Sequence, residues 1–207
     1  MEQTPQAKTK PTPTRERLVE TARHLFWARG YEATGVADVL REAGVNSGSL
    51  YYFFKTKEEL LLAVLDRYTE LLHPEVMDPV FARVSDPIER VFAVLGGYRE
   101  MLTMTDCRQG CPIGNLALEM SEKSEAVREG IAKNFVGWRN AMAGCLSEAR
   151  DRLPGGFDCD KLAAFILTVM EGAIMQARAH RSLDPFDASV ASLRDYVDRL
   201  LADAETK

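Results

Sequence analysis

The sequence predicts an all-α chain, and three observations predict it. Apolar residues recur at the three- and four-residue spacing of one helical face over most of the 207 residues. Pro and Gly stand at nearly every join between those segments. No convincing alternating strand pattern and no repeat of fixed period interrupts them.

Taken in order, residues 1–13 are rich in Pro, Thr and Lys and lack an apolar run, so they read as a disordered arm and not as a secretory leader. Thr14 is the expected N-cap of a first helix carrying Leu18, Ala22, Leu25 and Phe26, which Gly30 terminates. A second, short helix follows a Thr34 cap through Val36, Val39, Leu40 and Ala43. It stops at Gly44, a residue able to take the left-handed conformation of a tight turn. Val45 and Asn46 complete that turn, and a third helix begins near Ser47 with Leu50, Tyr51, Tyr52, Phe53 and Phe54. Thr56, with Glu59 three residues on, reads as a capping box for a fourth helix ending at about Leu72, ahead of Pro74. Further helices are expected from Pro87 to Met104, Pro112 to Glu122, Ser124 to Leu153, Cys159 to Arg181 and Pro185 to Ala204.

Composition bounds the class. With 46% hydrophobic and 28% charged residues the chain is an ordinary globular one. Apolar runs such as Leu60 to Leu65 are far too short to cross a bilayer, so no membrane association and a cytoplasmic location are expected. Four cysteines, Cys107, Cys111, Cys145 and Cys159, are too few and too unevenly spaced for a disulfide framework and read as free thiols. The net charge of −5 hides a division: residues 1–57 hold nine Lys/Arg against six Asp/Glu, and the remainder seventeen against twenty-five. A basic head on an acidic body suits a polyanionic partner at one end only.

Two short helices joined by Gly44, Val45 and Asn46 make a helix-turn-helix, whose second member enters the major groove of DNA while the first crosses the backbone. On a helical wheel from Ser47, at about 100° per residue, Leu50 and Phe54 point together toward a core while Gly48, Ser49 and Tyr52 point away. Small residues let the helix approach the bases, and the hydroxyls of Ser47, Ser49, Tyr51 and Tyr52 suit phosphates or base edges. Lys55 and Lys57 add charge at the backbone. A hairpin in which the four aromatics merely fill a core is the competing reading, but four in a row cannot all face one core from a helix. No Gly-rich phosphate loop, His-Glu-x-x-His or Gly-x-Ser-x-Gly occurs, so no enzyme and no cofactor is expected. His24, His73 and His180 do not make a zinc-ligand spacing with the cysteines, so no metal is expected either. A helical protein-interaction module remains the third class, distinguished by the absence of salt-dependent DNA binding.

These residues carry a resemblance. Thr34-Gly35-Val36, then Gly44-Val45-Asn46-Ser47-Gly48-Ser49-Leu50-Tyr51-Tyr52-Phe53-Phe54 and Lys55-Thr56-Lys57-Glu58-Glu59-Leu60, resemble the TetR-type DNA-binding domain and its pattern Gly-Val-Ser-x-Gly-x-Leu-Tyr-x-His-Phe-x-x-Lys-Glu-x-Leu. The likeness covers about the first third of the chain, with Phe26, Gly30 and Tyr31 leading in. It implies a DNA-binding domain over residues 14–60, with its motif at about 35–54, and a helical ligand-sensing and dimerisation domain over 61–207. By matched position it implies operator contacts from Thr34, Val36, Asn46, Gly48, Ser49, Tyr51, Tyr52 and Lys57. Phe53 stands where the pattern has His, so a polar contact there is not carried over.

The resemblance also implies a ligand cavity among the C-terminal helices and a homodimer through the last two. The stretch Leu162 to Ala177 is apolar around nearly its whole circumference, as in a helix covered on several sides. Val190, Leu193, Val197, Leu200 and Leu201 recur at seam-like spacing that suits a dimer interface or, equally, a monomer core. Met104, Cys111, Trp138, Met142, Phe165, Val169, Met170 and Gln176 are candidate cavity residues, with ordinary core packing as the alternative for each apolar one. Gly110-Cys111-x-x-Gly114-Asn115-Leu116-Ala117 resembles a segment in one branch of the family, some of whose members sense electrophiles, oxidants or aromatic compounds. Pro112 suits a first helical position and places Cys111 at the N-cap, where the helix dipole favours a thiolate. Arg108 would add to that effect, making Cys111 a redox or electrophile sensor with Cys107 as resolving partner. The alternative is a small side chain packed where helices approach closely. The resulting expectation is a repressor of a palindromic operator, released by a small organic inducer or, as the second reading, by chemistry at Cys111.

Overall fold

The computed structural model describes residues 13–205, and the expected arm lies outside them apart from Pro13. Pro13 is already helical. The first helix, α1 (Pro13–Arg29), starts one residue before the expected Thr14 cap, as a proline without an N–H to lose can. Then come α2 (Val36–Ala43), α3 (Ser47–Phe53) and α4 (Lys57–Leu71). A π-helical turn (Leu72–Met77) and α5 (Asp78–Phe81) follow. The long helices α6 (Pro87–Met104), α7 (Pro112–Met120), α8 (Glu125–Glu148), α9 (Cys159–His180) and α10 (Asp184–Glu205) complete the order, with a 3₁₀ turn (Arg150–Arg152) after α8. No strand occurs among the described residues.

The chain forms two compact units that divide between Val64 and Leu65. The division falls inside α4, a few residues beyond the expected domain edge at 60, because one continuous helix passes through it and no loop composition marks it. In the first unit Leu18, Ala22, Leu25 and Phe26 of α1 are buried together with Val39 and Ala43 of α2 and Leu50 of α3. Each such leucine contributes about 1.5–3 kcal/mol by leaving water. α2 ends in the expected left-handed residue, Gly44 at φ +62°, whose N–H donates to the Arg41 carbonyl. The Val45 N–H closes the turn onto the Leu40 carbonyl at 3.1 Å.

Two further caps differ from expectation. Gly35 and not Thr34 precedes α2, and its N–H donates to the Asp38 carboxylate at 3.1 Å. Thr34 is fully buried, and its hydroxyl donates to the Gly30 carbonyl at 2.7 Å and the Leu25 carbonyl at 3.3 Å. A hydroxyl so enclosed satisfies itself internally. At α4, Thr56 Oγ1 accepts from the Glu59 N–H, while the Glu59 carboxylate reaches past the cap to the Lys55 N–H at 2.7 Å.

In the second unit α9 packs against α8 and α10, and α6 against α8. The expected stop at Leu72 does not occur. Pro74 has no N–H and its ring clashes with the carbonyl four residues back in an α-helix. The widened π-turn accommodates it, and the chain stays helical to Phe81. α7 ends at Met120, two residues short of the expected Glu122, and α8 ends at Glu148, short of Leu153. The tighter 3₁₀ turn after α8 buries Leu153 and carries Arg152 to the Asp86 carboxylate at 2.5 Å. Asp86 itself caps α6, accepting from the Ile88 and Glu89 N–H groups at 2.9 and 3.0 Å. α9 ends with Arg181 in the left-handed region at φ +53°, held there by its guanidinium donating to the Cys107 carbonyl at 2.7 Å. Buried Asn134 of α8 donates to the carbonyls of Leu65 and Gly130. α9 is long and apolar enough to cross a membrane, yet its inner residues Leu162, Ile166, Met170 and Ala173 are core.

Candidate nucleic-acid interface and interior polar cluster

α3 presents the face expected of a groove-reading helix. Asn46 caps it, its side-chain oxygen accepting from the Ser49 N–H at 2.8 Å. Leu50 and, just beyond the helix, Phe54 turn inward at 1% and 3% exposure, whereas Tyr51 and Tyr52 stand 54% and 80% exposed. Ser47, Gly48 and Lys55 are exposed, and Val36, Ser49 and Lys57 are half-buried. Phe53 is half-buried between the rings of Tyr52 and Phe54.

Two expected DNA contacts are engaged elsewhere. The enclosed Thr34 side chain presents no hydroxyl to a ligand. Lys57 lies with its ammonium 4.0 Å from the Tyr31 ring centroid and donates to the Tyr31 carbonyl at 2.5 Å. The cation is thereby shared with the end of α1 rather than held out in water.

The expected cavity residues do not converge as a set. Cys111, Trp138, Met142 and Met170 are buried, but Met104 and Phe165 are 81% and 47% exposed, Gln176 is exposed and Val169 half-buried. The last three lie to one side of the buried face of α9, and there the Phe165 ring meets Tyr196 of α10. On α10, Leu193 and Val197 are buried within the protomer, as is Phe186, so for these two the monomer-core reading holds. Val190, Leu200 and Leu201 are half-buried. The apolar side chains left outward on these helices are instead Phe165, Met175 and Tyr196, with the Phe165 and Tyr196 rings in edge contact at 5.8 Å.

Cys111 takes its expected position as the N-cap of α7, Sγ accepting from the Gly114 N–H at 3.4 Å. Its electrostatics oppose the expected thiolate. Burial first, and then the Glu171 carboxylate, push the thiol well above its ordinary range, outweighing the N–H groups of α7. Arg108 gives no help, being 70% exposed and paired with Asp106. Cys107 is buried, at φ +49°, and all four cysteines are free thiols.

Around Cys111 gathers a cluster that sequence reasoning missed in part. Glu171 of α9 is half-buried and lies so close to α7 that a Cβ at position 114 would stand 2.2 Å from its Oε2. Any larger residue there would force the Glu171 carboxylate to move. Burial pushes the Glu171 carboxyl up, and the Cys111 thiol partly offsets this by hydrogen bonding to it. Oε1 is enclosed without a partner, and the enclosed indole N–H of Trp138 lies within reach of the Tyr98 hydroxyl. Tyr98 of α6 stacks edge-on to Trp138 at 6.5 Å, and burial and the charges of Cys111 and Glu171 push its hydroxyl strongly up. Asn115 accepts from Arg178 at 3.0 Å. The one legible signal for Glu171 was a lone carboxylate inside the apolar run from Leu162 to Ala177.

A capped helix-turn-helix with an open hydroxyl-bearing face, set on a separate helical unit, defines a DNA-binding regulator. Residues 18–64 match the family described as bacterial regulatory proteins, tetR family, and residues 87–192 match the C-terminal domain of LmrA/YxaF-like transcriptional regulators. The chain belongs to the TetR family of transcriptional regulators. It is 30% identical to the uncharacterized HTH-type transcriptional regulator YxaF of Bacillus subtilis, over 83% of this chain and 88% of that one. It is 31% identical to the HTH-type transcriptional repressor DhaR of a Mycobacterium species, over 85% and 88%. The fold is similar to that of reduced Escherichia coli NemR, with a TM-score of 0.76 at 26% identity over 88% of this chain and 96% of that one. These relatives are regulators, not enzymes.

Proposed function

We propose that this protein is a homodimeric repressor that leaves a palindromic operator when a small organic molecule binds its C-terminal unit. The observation that carries the DNA half is the outward face of α3, where Tyr52 is 80% and Tyr51 54% exposed while Leu50 and Phe54 anchor the helix. Exposed aromatic hydroxyls on a rigidly capped helix are suited to bases and phosphates, not to a monomer surface. Ser47, Gly48, Ser49 and Lys55 complete that face, with Val36 and Asn46 at its edge. Repression is the activity in the names of the relatives DhaR and NemR. Dimerisation through α9 and α10 is supported by Phe165, Met175 and Tyr196 on their outer side, and two α3 helices then meet successive major grooves about 34 Å apart. Work on chromosomal DNA places the protein in the cytoplasm.

The mechanism is a population shift: the inducer weakens DNA binding only as far as it prefers the DNA-incompetent state. Noncovalent binding is favoured over chemistry at Cys111, because burial and Glu171 hold that thiol protonated. Fluorescence anisotropy on a labelled fragment from the protein's own upstream region, titrated at two salt concentrations, tests the proposal. Specific, salt-sensitive binding is expected. Failure to bind specifically anywhere across genomic DNA overturns it.

A further inference from the structure

The interior cluster of the second unit has a composition that ordinary core packing does not explain. Glu171 is a carboxylate in an apolar helix, and among the described residues no Lys or Arg lies close enough to offset its charge. An unpaired buried charge is costly, and a helix assembled only for packing would carry an apolar side chain there. Its orientation is nonetheless set in advance. Oε2 rests against Gly114 in the first turn of α7, where the helix dipole favours negative charge, and Cys111 hydrogen-bonds to the carboxyl. Oε1 is left enclosed and without a partner.

Beside it stand two aromatic rings, Tyr98 and Trp138, edge-on at 6.5 Å. Tyr98 lies within electrostatic reach of Glu171 and Cys111 and next to the Trp138 indole, so the four side chains share one neighbourhood. Trp138 is only 4% exposed, and its enclosed N–H lies within reach of the Tyr98 hydroxyl. A carboxylate with one unpartnered oxygen near two electron-rich aromatic rings attracts positive charge through both features. An anion is repelled by Glu171, and a neutral apolar molecule leaves the carboxylate uncompensated.

We propose that Tyr98, Cys111, Trp138 and Glu171 form the recognition pole for an organic cation, a protonated or quaternary amine joined to an apolar body. The inference rests on the proposed ligand response and names the class of effector. Glu171 Oε1 faces the cationic nitrogen, Trp138 and Tyr98 flank it, and Cys111 with Gly114 holds the carboxylate in place. Cation binding favours the ionised carboxylate, so affinity rises with pH until Glu171 is fully ionised in the free protein.

The test uses the full chain carrying Trp27→Phe, which leaves Trp138 as the only tryptophan of the two. Its fluorescence is titrated with benzyltrimethylammonium, with the uncharged isostere neopentylbenzene and with the anion phenylacetate. The cation is expected to bind about tenfold or more tighter than the isostere, with phenylacetate weakest. Glu171→Gln is expected to remove that preference while leaving affinity for the isostere within about twofold. Equal binding of cation and isostere, strongest binding of the anion, or no cation binding at all overturns the proposal. The wild-type comparison stands even where the variant fails to fold. Operator release is read separately: a cation that binds beside Trp138 without releasing DNA refutes the ligand-release reading and leaves this site standing. Release by neutral compounds with no preference for cations does the reverse.

Discussion

Lys55 and Lys57 lie two residues apart in a basic stretch, and the structure predicts opposite consequences for their loss. Lys57→Met keeps the aliphatic stem and removes the ammonium that rests 4.0 Å from the Tyr31 ring centroid and donates to the Tyr31 carbonyl. A hydrogen bond from a charged donor contributes about 1.5–3 kcal/mol, and a cation over an aromatic ring about 0.5–1. Lys57 is half-buried, so solvent screening brings the sum down to about 2 kcal/mol. A unit this small has a urea dependence near the lower end of about 1–3 kcal/mol per molar. The midpoint reported by Trp27, in a Trp138→Phe background, should therefore fall by roughly 1–2 M. Lys55 is exposed, and Lys55→Met should leave that midpoint unmoved. On operator DNA the order reverses. Each phosphate contact contributes about −0.9 to the slope of log K against log salt, so losing Lys55 from both half-sites should flatten it by roughly 1.8. Lys57→Met should leave the slope intact. A flattened slope with unchanged stability in Lys57→Met would refute the clamp.

Three further outcomes follow from other parts of the molecule. Tyr52→Ala, at a position 80% exposed, should weaken operator binding by about ten- to hundredfold in anisotropy titrations while thermal unfolding stays put; a stability loss of matching size would make Tyr52 structural. Phe165→Glu should convert the proposed dimer to monomer in sedimentation at micromolar concentration with helicity retained, and a variant still dimeric would move the interface off α9. Glu171 titrates above its ordinary value of 4.5 in the folded chain. The folded state therefore keeps this proton where the unfolded chain has lost it, and stability falls as pH rises from about 4.5 through the raised folded value. Asp86 and Glu89, held low by N–H groups and arginines, act oppositely, losing their stabilisation as pH falls. The Glu171 share is the difference between wild type and Glu171→Gln in urea midpoints across that window; a difference independent of pH refutes the burial assignment.

Local signals explain why so much of the DNA-binding end was legible. Gly44, Asn46, Thr56 and the Leu50/Phe54 pair act through neighbours within a few residues, and backbone geometry alone dictates what they do. The same holds for Cys111 and Pro112 at the start of α7. For Thr34 and Lys57 the inward partners, the carbonyls of Gly30 and Tyr31, were not legible, because which backbone carbonyl comes within reach is set by how the chain folds. In the second unit, periodicity located the helices but not their sides. Phe165 and Met170 are equally apolar, yet one faces out and the other in.

By itself, then, the sequence determined the existence and order of the main helices, the Cys111 cap, the turn of the helix-turn-helix and the division of charge between its two parts, because these depend on residue type and short spacing. Tertiary structure alone decided that Lys57 clamps α1, that Leu193 and Val197 are core, and that the Cys111 thiol stays protonated beside Glu171. Each of those depends on which distant side chain arrives and on how much water it displaces. Burial first, and then a carboxylate sixty positions away carried in by α9, reverse what the start of α7 would do to a thiol on its own.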